Sequence, residues 1–328
     1  MNKRVYISKN YRHIFTATAK AKMDAEKIVN NNGWCNIGLP ARNIENEFLG
    51  RLWTLASNAI AYLRMPKNGY VFLQYPVNLS HSQIRRAAKR GNKIVVLVHD
   101  LNTIRDEKNN KDFEYLMYSD IIIVHTQAMK DWLQDKFNLI KDIRILGIFD
   151  YLKSKSISEA PPFPINICFA GNLAKSSFLH RTRFNNIQLK LFGIGGENLP
   201  TNKGLYYVGC FPPEELSEHL NSHFGLVWDG NTTDTCSGIL GDYLRLNSPH
   251  KLSMYLSSGM PVIVWKESAM APFINNEGVG ISISKLSELD CILPQITEDE
   301  YRAYKRNAIV LSDKIRNGYF LSNIISDI

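Results

Sequence analysis

A histidine and a lysine stand together where a helix is expected to begin, in Asn247-Ser248-Pro249-His250-Lys251-Leu252-Ser253-Met254-Tyr255. Proline suits the first helical turn, and Asn247 or Ser248 suits the capping position before it. Basic side chains at a helix N-terminus meet orphan amide protons and the positive end of the helix dipole. That arrangement calls for an anion, and a phosphate-bearing ligand would supply one. Upstream, an apolar strand over 224–228 ends in Asp229-Gly230 and opens onto a polar loop, 231–241, rich in small hydroxylic residues. Further upstream, Gly171-Asn172 follows another apolar strand, with Lys175 three residues on. Glycine at a strand's carboxyl end lets backbone approach a ligand, and lysine adds charge for a diphosphate; an ordinary strand-to-helix turn would look the same. In the first half, His99-Asp100 follows the apolar run 94–98. Either residue could serve as a general base there, or Asp100 could cap the next helix or pair with Arg105. Thr16 and Thr18, in the loop expected after the first strand, could line the same cleft.

Several familiar chemistries are absent from the sequence. Gly193-Ile194-Gly195-Gly196 lacks the spacing of a dinucleotide fingerprint, and no P-loop, GxSxG, HExxH or EF-hand pattern occurs. Five cysteines (Cys35, Cys168, Cys210, Cys236, Cys291) are scattered without CxxC pairs, which reads as reduced thiols and no zinc site.

The elements that must position these residues alternate along the chain. Strands are expected over 5–8, 36–39, 70–74, 93–98, 120–125 and 143–146, with helices over 20–30, 46–63, 82–89 and 127–136. After a Ser- and Pro-rich break the pattern restarts, with strands over 166–169, 188–192, 205–208, 224–228, 261–264 and 279–283. Helices are expected over 213–221, 249–258 and 268–275, and two more, about 298–311 and 313–325, close the chain. Continuous apolar strands such as Ile94-Val95-Val96-Leu97-Val98 suit a parallel sheet covered on both faces. The expected class is therefore α/β, with two Rossmann-like, doubly wound domains and a cleft between them. The boundaries are 1–153 for an N-terminal domain, 154–164 for a linker and 165–312 for a C-terminal domain. A final helical segment, 313–328, would pack back on the N-terminal domain.

Charge is unevenly placed over the 328 residues. The net charge is +8, yet residues 1–93 hold 16 Lys+Arg against 4 Asp+Glu. Arg85, Arg86, Lys89, Arg90 and Lys93 form the densest cluster. Such a cluster fits a solvated helix face, an anionic membrane or a phosphorylated substrate. With no helix-turn-helix, RNP or zinc-finger pattern, nucleic acid is not an expected partner. No apolar run approaches the ~18–20 residues needed to span a bilayer, and no signal peptide is visible, so a cytoplasmic protein is expected rather than an exported sugar-binding protein.

The second half, through residues 224–230, Thr235-Cys236-Ser237-Gly238, Gly241-Asp242-Tyr243-Leu244, Asn247–Lys251 and 255–265, resembles a family of bacterial GT-B glycosyltransferases. That family includes a β-1,6-galactofuranosyltransferase of O-antigen assembly and the glucosyltransferase of serine-rich adhesin glycosylation. Arg4–Ser8, His99-Asp100 and Ile148-Phe149-Asp150-Tyr151-Leu152 extend the similarity over nearly the whole chain, closer in detail to the galactofuranosyl branch. The resemblance implies a UDP-sugar donor held mainly by the C-terminal domain and a glycan acceptor, lipid-linked or protein-linked, at the N-terminal one. It matches the diphosphate contacts of the glucosyltransferase branch to Lys175 and Lys251, and a first-loop threonine to Thr18. Gly171, Asn172, Asp229, Tyr243, Asn247 and His250 complete the expected donor site. Lys175 stands where that branch has arginine and so loses bidentate geometry. With no Asp-x-Asp, no metal and no other cofactor are expected. With Asn275 eight residues after Glu267 in place of a second glutamate, inversion is expected, with Asp100 as base. The expected activity is hexosyl transfer, galactofuranosyl first and glucosyl second. A UDP-sugar 2-epimerase and a non-catalytic nucleotide-sugar-binding subunit are the readings of other classes. Membrane contact through Arg85, Arg86, Lys89 and Arg90 is the expected peripheral partner, and a homo-oligomer is compatible with all of this.

Overall fold

The computed structural model describes residues 3–8, 17–76, 79–105, 111–153, 157, 159–199 and 204–328. It comprises two compact units, Met1–Phe149 with Gly318–Ile328, and Asp150–Asn317.

The first unit is built on a parallel sheet ordered β2-β1-β3-β4-β5-β6. Its strands are β1 (Arg4–Tyr6), β2 (Cys35–Asn36), β3 (Tyr70–Tyr75), β4 (Lys93–Val98), β5 (Ile121–Val124) and β6 (Asp142–Ile145). Ile94 to Val98 and Ile121 to Val124 are buried throughout, as strands covered on both faces must be. The crossovers carry α1 (Ala17–Asn31), α2 (Glu47–Arg64), α3 (His81–Lys89), α4 (Asn102–Arg105), α5 (Lys111–Leu116) and α6 (Gln127–Phe137).

The second unit repeats the plan in the order β12-β11-β10-β7-β8-β9. Its strands are β7 (Ile167–Ala170), β8 (Leu189–Phe192), β9 (Leu205–Gly209), β10 (Phe224–Val227), β11 (Val262–Trp265) and β12 (Gly280–Ile283). Its helices are α7 (Pro213–His219), α8 (Gly238–Tyr243), α9 (His250–Ser257), α10 (Ala271–Glu277), α11 (Leu289–Ile292) and α12 (Glu298–Arg316). Phe169, Phe224, Trp228, Trp265 and Tyr301 fill its core. The strand order reverses between β7 and β10 here, and between β1 and β3 in the first unit. Ligands of open α/β sheets bind outside the strands' carboxyl ends at such reversals.

The chain passes from the first unit to the second at Phe149/Asp150, so the stretch expected as a linker belongs to the second unit. Within that stretch, residues 154–156 and 158 lie outside the described residues. The expected helix break at 312/313 is displaced. Ser312 stays helical with its Oγ on the Ile309 carbonyl at 2.7 Å, and α12 runs on to Arg316. The chain turns at Gly318, whose φ of +74° is left-handed, and a Cβ there would lie 2.7 Å from Ile28. The last helix, α13 (Tyr319–Ser326), then packs in the first unit, where Asn32 Nδ2 donates to Ser322 Oγ at 3.0 Å and Arg144 Nη1 to the Ile324 carbonyl at 3.0 Å. The expected loop 231–241 also contains structure, since α8 begins inside it at Gly238.

Candidate active site

At the reversal point of the second unit, the ends of β7 and β10 and the start of α9 converge on one ammonium group. Lys251 Nζ lies 3.0 and 3.2 Å from the two Asp229 carboxylate oxygens and 3.3 Å from the Trp228 carbonyl. It stands over the buried Phe169 ring, 4.6 Å from its centroid. Tyr255, one helical turn further, fixes α9 to the strand end, because its Oη accepts the Ala170 N–H at 2.7 Å. Burial pushes the Tyr255 phenol well above its usual range, so it remains neutral.

Gly171 borders this ammonium. A Cβ built there would sit 3.7 Å from the Phe169 ring and 4.0 Å from Lys251 Nζ, ordinary contacts, and its φ is not left-handed. The fold therefore does not demand glycine at 171, and its missing side chain leaves room beside the cation. Gly193 is the contrast: at φ +134° its Cβ would lie 1.8 Å from the Gly171 carbonyl oxygen, so the fold does require it.

The remaining residues expected to bind a donor fall into two groups. Asn172 Oδ1 accepts the Lys175 N–H at 3.2 Å, capping the short turn on which the exposed Lys175 ends. Asn247 lies just before α9, and its Oδ1 is buried without a hydrogen-bond partner among the described residues. Tyr243 is buried at the end of α8, with its carbonyl taking the Asn247 N–H at 3.0 Å. His250 opens α9 half-buried, its ring 5.7 Å from that of Tyr151.

Three local expectations change. Pro249 occupies the capping position rather than the first turn, and no side chain of Asn247 or Ser248 caps α9. Lys251 has a structural counter-charge in Asp229, which offsets the unfavourable helix dipole. The hydroxyls of the following loop fold it internally: Thr232 Oγ1 donates to the Thr235 carbonyl at 2.7 Å and Trp228 Nε1 to the Thr232 carbonyl at 3.1 Å. Cys236 in that loop is buried, which pushes its thiol up to about 12 and keeps it protonated.

The first unit gathers a second polar set at its sheet's carboxyl edge. Gln74, in β3, donates from Nε2 to the Lys22 carbonyl at 3.1 Å, which turns its Oε1 towards His99 Nε2 at 2.7 Å. The amide orientation thus makes His99 Nε2 the protonated nitrogen. His99 is buried and stacks on Phe149 at 5.3 Å, while Asp100 beside it is half-buried. His125, at the end of β5, is lowered to about 4, by burial above all, against the raising effect of its Val98 hydrogen bond. Its neutral ring donates from Nε2 to the Val98 carbonyl at 2.9 Å.

Buried charge lines the inner face of α1. Lys20 and Asp24 pair at 2.6 Å, Glu26 accepts from Ser8 Oγ at 2.5 Å, and Lys22 Nζ reaches the Pro76 carbonyl at 3.3 Å. The sequence offered one signal for this set, the i,i+4 spacing of Lys20 with Asp24 and of Lys22 with Glu26. Gln74 offered none. Thr18 lies in the first turn of α1 and not in a loop, and its side chain, with Thr16 and the Arg105 side chain, is outside the described residues. Arg85, Arg86 and Lys89 sit apart on α3, exposed. Arg90 is the C-cap of that helix, with its Nε buried. Among the described residues, no group of three or more His, Cys, Asp or Glu side chains could hold a metal ion.

Family models described as "Glucosyltransferase 3-like, N-terminal domain" and "Glucosyltransferase 3-like, C-terminal domain" match residues 4–148 and 167–328. The β-1,6-galactofuranosyltransferase WbbI of Escherichia coli K12 is 34% identical over 248 residues, 72% of this chain and 71% of that protein. Glucosyltransferase 3 of Streptococcus parasanguinis is 26% identical over 244 residues, 72% of this chain and 69% of that protein. Among solved structures, sucrose-phosphate synthase from Thermosynechococcus elongatus matches with a TM-score of 0.64 at 11% identity, covering 100% of this chain and 98% of that one. The fold is GT-B.

Proposed function

The chain belongs to the glucosyltransferase 3-like family of glycosyltransferases, and on that premise we propose that it moves a galactofuranosyl unit from a UDP-sugar to a cell-surface glycan precursor. The observation that carries this reading is the Lys251 ammonium, held by Asp229 beside the space that Gly171 leaves. Charge builds on the diphosphate as it leaves, and a cation held in place at a helix N-terminus stabilises that charge without reorganising. Lys175 adds a second charge from the neighbouring turn, and Asn247 Oδ1 an acceptor for a donor hydroxyl or uracil N–H. Metal is not needed for the step. Asp100, the more exposed of the His99-Asp100 pair, takes the proton of the acceptor hydroxyl, which attacks the anomeric carbon from the face opposite the diphosphate. The C–O bond to UDP breaks as the new glycosidic bond forms, so the configuration inverts. The galactofuranosyl preference rests on the 34% identical relative, and a glucosyl donor on the 26% identical one. The protein works at the cytoplasmic face of the membrane, with Arg85, Arg86 and Lys89 towards anionic lipid.

A donor screen tests this: UDP-galactofuranose, UDP-galactopyranose and UDP-glucose, each with membrane extract as acceptor. Label from UDP-galactofuranose should pass to the extract fastest. Preferential transfer from UDP-glucose would move the assignment to the glucosyl branch. Free sugar released without acceptor would indicate an epimerase, and UDP binding without transfer from any donor a non-catalytic subunit.

A further inference from the structure

α2 is amphipathic the wrong way round for a helix that only covers a sheet. Its buried residues are Gly50, Ser57, Asn58 and Ala61, small or polar. Its outward residues include Phe48 at 69% exposure, Leu52 at 46%, Leu55 at 65% and Leu63 at 79%. These four fall at intervals of four, three and eight residues, which at 3.6 residues per turn is one stripe opposite the buried arc. Ala56 and Ala59 fall within or beside the stripe, so no charge interrupts it over the roughly 27 Å that 18 residues span. Single exposed leucines are commonplace, but a continuous apolar stripe on an otherwise well-formed helix marks a contact surface.

The surroundings select the partner. Tyr62, on the flank of the stripe, carries the Arg86 guanidinium over its ring at 4.8 Å. Ala59, Tyr62, Leu63, Ser82, Gln83 and Arg86 line one shallow groove where α3 lies alongside. Arg85 and Lys89 continue the positive surface of α3, exposed like Arg86. No described helix is long and apolar enough to cross a membrane. An apolar stripe edged by cations has the chemistry of an interfacial helix, apolar groups at the acyl boundary and cations among lipid phosphates.

We infer that α2 lies in the plane of an anionic bilayer surface, with Phe48, Leu52, Leu55 and Leu63 inserted and the α3 cations on the headgroups. This deepens the reading of a transferase acting on a membrane-bound glycan precursor. It also turns the basic cluster from a long-range attractor into the rim of an inserting surface. Electrostatics alone would hold the protein reversibly at the surface, whereas insertion of the leucines adds a contribution that salt does not screen.

Vesicle sedimentation of the full chain tests it, using phosphatidylcholine vesicles with and without phosphatidylglycerol, and no donor or acceptor, so that its result is independent of transfer. The wild type should prefer the anionic vesicles. The triple substitution Leu52→Ser, Leu55→Ser, Leu63→Ser should weaken binding roughly tenfold or more, with an unchanged circular-dichroism melt because all three side chains are exposed. Leu55→Lys separates the contributions: it adds a cation, so purely electrostatic docking would tighten, while insertion predicts weaker binding. Wild-type binding by both variants would overturn the proposal. So would a wild-type dimer in solution that the serine variant splits with no change in vesicle binding, since the stripe's occupant would then be a second copy of the chain.

Discussion

Lys251 is the residue on which the proposed donor site turns, and its pairing with Asp229 makes a prediction sharper than simple loss. A hydrogen bond to a charged group contributes ~1.5–3 kcal/mol, so Lys251→Met should weaken UDP binding by about ten- to a hundredfold in calorimetry. If Asp229 chiefly holds the ammonium, Asp229→Asn keeps an acceptor 3.0–3.2 Å away and should cost less than about tenfold. Asp229→Ala should cost more, and equal losses in the two variants would sink the positioning role. In the first unit, Asp100→Asn would remove the proposed base and should lower the transfer rate by ~10²–10⁴ with little change in UDP affinity. Transfer at the wild-type rate in that variant would exclude Asp100. The places of Gly171 after a strand and Lys251 at a helix start were legible in sequence, because apolar runs and a proline marked those element ends. What was not legible was the partner. Asp229 and Lys251 are 22 residues apart, at the two ends of the stretch between β10 and α9, and only the folded crossover from β10 to β11 closes that distance, while the reversal of strand order sets Phe169, in β7, beneath the same ammonium. Gln74, which sets the His99 tautomer, is invisible to spacing for the same reason.

Strands and helices were readable to within a few residues wherever apolar runs or caps marked them, as in β4, α6 with its Thr126 cap and α3 with its capping box. Periodicity fails where an element's face matters more than its existence. The leucines of α2 locate the helix correctly, but hydrophobic patterning by itself would turn them inwards. It fails also at α12, where Ser312 looks like a stop yet bonds back within the helix. The elements also set a pH response. His125 directly follows β5, and His223 precedes β10 with its Nδ1 accepting the Asn166 N–H at 3.2 Å. Both are lowered from 6.5 to about 4, principally by burial. Between these values the unfolded chain binds protons that the folded one excludes, so stability is complete above about 6.5 and declines as pH falls towards 4. Each histidine contributes up to about 3 kcal/mol across that window, at about 1.4 kcal/mol per unit. Melting temperatures should fall steadily from pH 6.5 to 5, and His125→Asn and His223→Asn should each flatten the slope. A wild-type melting temperature constant over that range would show that neither ring is held neutral.

On the scale of the molecule, two sheets of the same construction carry opposite chemical assignments. The unit spanning Asp150–Asn317 presents a cation, a helix N-terminus and an orphan acceptor where its strand order reverses. The other unit presents His99, Asp100 and the buried charges of α1 near its own reversal. The composition follows this split: residues 1–150 hold 23 Lys+Arg against 14 Asp+Glu, whereas residues 151–328 hold 16 against 17. The half proposed to bind the donor is thus close to neutral, and on that reading it would meet a diphosphate with a few placed charges rather than with a broad positive field. That distinction predicts how the reaction responds to its medium. On the proposed reading, a diphosphate neutralised by Lys251, Lys175 and the α9 amides would need no divalent ion, so EDTA should leave the transfer rate within about twofold of its value without chelator. Because Lys251 acts at contact distance and is partly shielded from solvent, raising salt from 0.05 to 0.5 M should change the Michaelis constant for donor only modestly, by about threefold or less. Vesicle binding through the basic first half should weaken far more over the same range. Loss of transfer on chelation, restored by magnesium or manganese, would mean that a metal ion, and not Lys251, carries the leaving charge.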